Sequence, residues 1–167
     1  MSAQLQSHRR WTRRSVVAAA PGLWALFHAD PMGVSAMSTD AAQIRVAMER
    51  YATAWTSGDL AAIVACYHDE FTLHYFGRHA LSGDHVGKAR ALEVLAEFTR
   101  RTKRQMVSII ATLAGNDRGA IVVREALGPR RIEVERVLVY TVAGGLLREC
   151  WVYDQDQRAI DELVGAA

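Results

Sequence analysis

Glu49-Arg50-Tyr51-Ala52-Thr53-Ala54-Trp55-Thr56-Ser57-Gly58-Asp59-Leu60 decides how the rest of the chain is read. Together with the residues before it, this stretch sets Ile44, Ala47, Met48, Tyr51, Ala52 and Trp55 at three- and four-residue spacing, one apolar stripe on a helix. Asp40 is a suitable cap, so the pattern predicts a helix from Asp40 to about Thr56. Ser57-Gly58-Asp59 ends it, and Asp59 can cap a second helix from Leu60 to about Tyr67.

Working outward, Phe71 to Phe76 is rich in β-branched and aromatic residues and reads as a strand. Gly77 to Gly87 reads as a loop. A third helix is expected from Lys88 to about Arg101, with Ala91, Leu92, Leu95 and Phe98 inward. Four β segments follow: Gln105 to Leu113, Ala120 to Leu127, Ile132 to Val142 and Leu146 to Tyr153. Asn116-Asp117, Gly128-Pro129 and Gly144-Gly145 separate them as turns, the signature of an antiparallel meander. A last helix is expected from Gln157 to Val164. The class is α+β: three main helices packed on a strongly bent, mostly antiparallel sheet, around one pocket.

The 167 residues suit one domain with one core, and 50% hydrophobic with 23% charged residues is a globular balance. The net charge of +2 is unevenly spread. Arg9, Arg10, Arg13 and Arg14 stand in a stretch without acids, and the remainder holds more acids than bases. No nucleic-acid surface is therefore expected. The basic run Arg100 to Arg104 reads as a solvated helix end. Cys66 and Cys150 sit among apolar residues and read as buried free thiols.

The first 36 residues stand apart from the domain expected at 37–167. Thr12-Arg13-Arg14-Ser15-Val16-Val17 resembles a twin-arginine export signal. Val16 to Phe27 is apolar but too short to span a bilayer, and Val34-Ser35-Ala36 resembles a cleavage site. The other reading is an over-extended start, with Met37 as the natural beginning and a cytoplasmic protein. No stable membrane association is expected on either reading.

The last hairpin fixes which residues share a face. A two-residue turn at Ala143-Gly144 would place Arg136 opposite Trp151 and Leu138 opposite Glu149. Val134, Arg136, Leu138 and Tyr140 would then share a face with Leu147, Glu149, Trp151 and Tyr153. A face mixing large aromatics with one cation and one anion suits a pocket wall better than a core.

The helix stretch above resembles the first-helix signature of the SnoaL-like, nuclear transport factor 2-like superfamily. Phe71-Thr72-Leu73-His74-Tyr75-Phe76-Gly77, with Leu81-Ser82-Gly83 and Gly87-Lys88, is similar to its first strand and loop. Glu149-Cys150-Trp151-Val152-Tyr153-Asp154, then Asp156-Gln157, is similar to its last strand. The resemblance implies a cone-shaped α+β barrel. It implies kinship with ketosteroid isomerases, polyketide cyclases and limonene epoxide hydrolases, but no particular reaction. It matches Tyr51 to the isomerase oxyanion donor. It sets the isomerase base at His74 or Tyr75 and leaves the second oxyanion donor at Leu138, which cannot donate. The cyclase acid–base aspartate falls on Asp154 or Asp156. Relatives often pair as homodimers, and Val107, Ile109, Val122 and Val137 are the apolar residues expected to form such an interface.

These readings leave a set of candidates. His74 titrates near neutral pH and suits acid–base work, or is a core or surface histidine. Tyr51 is an oxyanion donor or packing. Asp154 is an acid–base group, and Asp156 that or a helix cap. Trp55, Tyr67, Phe76, Arg136, Glu149, Trp151 and Tyr153 are the expected ligand contacts. No spacing suits a metal and no glycine-rich phosphate loop follows a strand, so no cofactor is expected. The chemistry implied is proton transfer beside the carbonyl of a small hydrophobic molecule. The alternative is a non-catalytic ligand-binding or dimerisation module of the same fold.

Overall fold

The computed structural model describes residues 31–166, with side chains from Asp40 onward. The basic stretch and the apolar run from Val16 to Phe27 lie outside the described residues. Four helices and six strands follow one another: α1 (Pro31–Ser57), α2 (Leu60–Ala65), β1 (Tyr67–Tyr75), β2 (Gly83–Val86), α3 (Lys88–Thr102), β3 (Gln105–Ala114), β4 (Gly119–Leu127), β5 (Ile132–Ala143), β6 (Leu146–Asp154) and α4 (Gln157–Val164). The class is the expected α+β.

Three boundaries differ from the sequence reading. Helix α1 begins at Pro31, so Asp40 lies inside it rather than capping it. Proline at a first helical position lacks only an N–H that would be unpaired there anyway. Tyr67 opens β1 instead of ending α2, and Gly83–Val86 forms a short edge strand where a loop was expected. That strand gains its structure from pairing with β1, which no local propensity reports. Asp59 does cap α2, accepting from the Ala62 N–H at 3.0 Å.

The sheet runs β2-β1-β6-β5-β4-β3. The meander β3 to β6 is antiparallel as expected, and β1 inserts beside β6 as the one parallel neighbour. The α1 stripe of Ile44, Met48, Tyr51 and Trp55 is buried against the inner face of the sheet, and Ala91, Val94 and Phe98 of α3 cover the same face. Close approach of α1 depends on Gly119 at the start of β4. A Cβ there would lie 2.4 Å from Met48 Cγ and 3.1 Å from Ile44 Cγ2.

The last hairpin departs from its expected register in two places. Its turn is Gly144-Gly145, both with positive φ (57° and 73°), which matches the hairpin's right-handed twist. A bulge then lies between Thr141 and Val142, so Val142 pairs with Leu147 while Thr141 pairs with Glu149. The moved turn alone would leave the faces as expected, and Leu147 is indeed buried. The bulge adds one residue and reverses every face beyond it. Cys150, Val152 and Asp154 therefore share the inner face with Tyr140, Leu138 and Arg136, and Glu149, Trp151 and Tyr153 turn outward.

The four apolar residues grouped as an interface do not share a face. Val122 and Val137 pair on the outer side, but Ile109 stands opposite the inward Val123 and packs on the core. Among the described residues no helix is long and apolar enough to cross a membrane.

Because Met48 is fully buried and cannot swing into solvent, Gly119→Ala overpacks the α1–β4 contact. It is expected to lower the unfolding free energy by about 1–3 kcal/mol in urea titration. A change within a few tenths would show that α1 is free to move away.

Candidate functional site

The inner face of the sheet, α1, α2 and α3 line a partly open cavity of about 570 Å³. Its walls are largely apolar, with Phe71, Leu73, Leu92, Leu95, Phe98, Leu138 and Val152 among them. Polar groups gather at two ends. Arg136 and Tyr140 mark those ends on β5, four residues and about 13 Å apart along an extended strand.

One end holds phenols. The Tyr51 hydroxyl is hydrogen-bonded to that of Tyr67 and accepts from that of Tyr140 at 3.2 Å. The three rings meet edge-on around Tyr51, at 5.5 Å and 5.4 Å between centroids. Burial drives the titration of all three phenols upward, so each keeps its proton. The Cys150 thiol beside them is pushed up to about 12 by burial, which makes it an inert packing group rather than a nucleophile.

The other end is ionic. Arg136 donates from Nε to Asp154, from Nη1 to Glu125 at 2.9 Å, and from Nη2 to the Tyr75 hydroxyl at 2.6 Å. The side chains of Arg136, Glu125 and Asp154 are 3%, 1% and 0% exposed, so this is a fully desolvated network. The guanidinium also lies over the Phe98 ring at 4.5 Å. Burial alone would lower the Arg136 titration, but Tyr75, Glu125 and Asp154 reverse it and hold the cation charged. Burial raises the titration of Tyr75 despite the cation, so its phenol also stays protonated.

Arg104 was read as part of a solvated helix end, yet it lines the cavity. Its guanidinium stands 5.4 Å from the Trp55 ring centroid and 3.6 Å from Glu125 Oε1. Arg100 and Arg101 do pair outward with Glu97, whose carboxyl they hold down at about 2.

Of the expected site residues, Tyr51, Trp55, Tyr67 and Arg136 line the cavity together. Asp154 points to the same side, but its carboxylate sits against Arg136 and does not line the cavity. Asp156 caps α4, accepting from the Ala159 N–H at 3.0 Å. The remaining candidates stand on the outer face. His74 pairs with Asp84 at 2.8 Å and stacks on Trp151 at 4.8 Å, with Arg118 over the far aromatic ring at 4.6 Å. Phe76 packs on Tyr153, and both are nearly half exposed. Glu149 accepts from the Thr141 hydroxyl. The strand alternation that turns Phe71, Leu73 and Tyr75 inward turns His74 and Phe76 outward, and the bulge does the same to Glu149, Trp151 and Tyr153.

Sequence reasoning missed Glu125 and Arg104, and of the two alternatives His74 and Tyr75 it is Tyr75 that lines the cavity. Glu125 left a readable signal: it shares strand parity with the inward Ile121 and Val123, so alternation alone places a carboxylate on the inner face. Among the described residues no group of three or more His, Cys, Asp or Glu is arranged to hold a metal.

The fold and the cavity on its inner face define a nuclear transport factor 2-like α+β cone. The model of the SnoaL-like domain matches residues 48–150, and the chain belongs to that family. No functionally curated protein matches it. Among solved structures it is similar to Bal32a from a soil-derived mobile gene cassette, at 21% identity over 75% of this chain and 99% of that one, with a TM-score of 0.66. It is also similar to a putative ketosteroid isomerase from Kribbella flavida (19% identity, 69% and 79% covered, TM-score 0.55). TerC, co-crystallised with polyporic acid, is 16% identical over 77% of this chain and 98% of its own, with a TM-score of 0.57. At these identities the likeness concerns the fold.

Two substitutions separate the faces. Arg136→Leu strands two buried carboxylates and is expected to cost about 3–5 kcal/mol of stability, measured by denaturant unfolding. His74→Gln removes a pair with an exposed aspartate and a ring stacked on Trp151, both on the outer face. It is expected to change stability by less than about 1 kcal/mol and to leave binding of a cavity ligand unaltered. A tenfold loss of affinity on His74→Gln would return the histidine to the site.

Proposed function

We propose that this protein is a small cofactor-independent enzyme of the polyketide cyclase or isomerase kind. It binds a hydrophobic carbonyl compound and moves a proton beside the carbonyl. The observation that carries this reading is the make-up of the cavity: apolar walls, phenols that burial keeps protonated, and a buried carboxylate facing the same space. Removing a proton next to a carbonyl needs a base for the proton and a donor for the oxygen that becomes negative. Both work best where water is excluded and the dielectric is low.

Size and polarity narrow the ligand. A cavity of about 570 Å³ suits a molecule of two or three rings. Polar side chains four residues apart on β5, with Leu138 between them, favour an apolar body carrying an oxygen near each end. Tyr51, tied to Tyr140 and Tyr67, orients one of those oxygens through the hydroxyl chain. The structural neighbours described as a putative ketosteroid isomerase and as a protein co-crystallised with polyporic acid support a small-molecule role.

The second reading is a binding module without chemistry. It is favoured by the internal pairing of most buried groups, since the phenols bond one another and Arg136 is matched by two carboxylates. Hydrogen exchange separates the two. With 2-tetralone in D2O, the enzyme reading expects deuterium to enter the α-position well above the protein-free rate, followed by proton NMR. Saturable binding of 2-tetralone without catalysed exchange leaves the binding module.

A further inference from the structure

Neither His74 nor Asp154 faces the cavity, so the proposed reaction lacks its expected base. The ionic end supplies a replacement. Glu125 uses Oε2 to accept from Arg136, while its Oε1 is buried with no hydrogen-bond partner among the described residues. Arg104 approaches Oε1 only to 3.6 Å, beyond hydrogen-bonding range. A buried carboxylate oxygen left without a donor is costly unless something else supplies one. Beside it, the Tyr75 hydroxyl accepts from Arg136 and keeps its own proton, for which the described residues offer no acceptor. Two nitrogens of one guanidinium thus bind the carboxylate that carries the open acceptor and the phenol that carries the open donor.

From this pairing we infer that Glu125 is the catalytic base and Tyr75 the oxyanion donor, with Arg136 as the positioning residue. A carbonyl oxygen and the hydrogen on the adjacent carbon lie side by side in the substrate, as the acceptor and donor do here. Glu125 Oε1 takes the proton as the C–H bond breaks. The electron pair forms the C=C bond of the enolate, and the carbonyl π pair moves onto oxygen. The Tyr75 hydroxyl donates to that oxygen. The carboxyl proton exchanges with solvent while the enolate is bound. Return of a proton (a deuteron in D2O) from Glu125 to carbon restores the base, and no other reactant is consumed. Arg136 fixes both groups and offsets the negative charge without touching the reacting atoms.

The inference rests on the proton-transfer reading, and the test separates the two. Exchange at the α-position of 2-tetralone is measured for the full chain and for Glu125→Gln, Tyr75→Phe and His74→Gln, with binding followed by saturation-transfer NMR. The glutamine keeps an oxygen for the Arg136 bond but cannot take a proton. Glu125→Gln is expected to bind the probe within about threefold of the parent and to lose exchange on the order of 100-fold. Tyr75→Phe is expected to lose on the order of 100-fold as well. His74→Gln is expected to exchange like the parent. Parent-level exchange in Glu125→Gln overturns the assignment of the base and leaves the proposed function standing. Absence of exchange in the parent overturns the function itself, and this inference with it. If Glu125→Gln fails to fold, Glu125→Asp keeps the charge beside Arg136 but withdraws it by one methylene. Exchange down about tenfold at unchanged melting temperature then supports the assignment, and unchanged exchange overturns it.

Discussion

The contact on which the inner face depends is the guanidinium of Arg136 between Glu125 and Asp154. It sits on β5, and its partners come from β4, β6 and, through Tyr75, β1. One side chain therefore links four neighbouring strands of the sheet on their concave side. Removing such charges from water costs several kcal/mol each, and only close, multiply hydrogen-bonded geometry offsets it. A network of this kind is a poor way to gain stability, since apolar residues of similar volume would pack as well. Its presence at the wall of a cavity is better explained by what it holds in place.

The two polar ends of the cavity are built on different physics. The phenols around Tyr51 contact one another, and burial is the largest influence on their titration. Tyr75 is equally starved of water, but a cation bonds its oxygen and pulls against that burial. A phenol whose oxygen accepts from a guanidinium is the more polarised donor of the two. The Tyr51 cluster is suited to holding an oxygen that stays neutral, and the Tyr75 end to one that becomes charged.

Much of the fold was legible because period and punctuation agree along the chain. The α1 stripe, the Asp59 cap, the α3 inward residues and the four-strand meander all follow from local pattern. The β2 edge strand did not, because pairing with β1 rather than its own residues makes it a strand. The site was less legible for a narrower reason. Helix spacing and resemblance pointed to Tyr51 and Trp55 and the strand to Arg136, all of which line the cavity, while Tyr67, expected at the end of α2, reaches it from β1. Glu149, Trp151 and Tyr153 were assigned to the wrong side because one bulged residue in β6 is invisible to alternation, and every residue after it changes face.

That reversal also explains why the outer face looks so much like a site. His74 stacked on Trp151, Arg118 over the same ring and the Phe76–Tyr153 pair form an aromatic and cationic surface of the composition a pocket would have. The difference is enclosure. The His74 side chain is 19% exposed and its partner Asp84 is 73% exposed, so solvent at the carboxylate screens whatever charge the pair carries. On the inner side Glu125 and Arg136 are removed from water, where the same charges interact several times more strongly and a hydrogen bond left open is costly. Residue type alone therefore ranks the two faces equally; desolvation is what gives the inner one its chemistry.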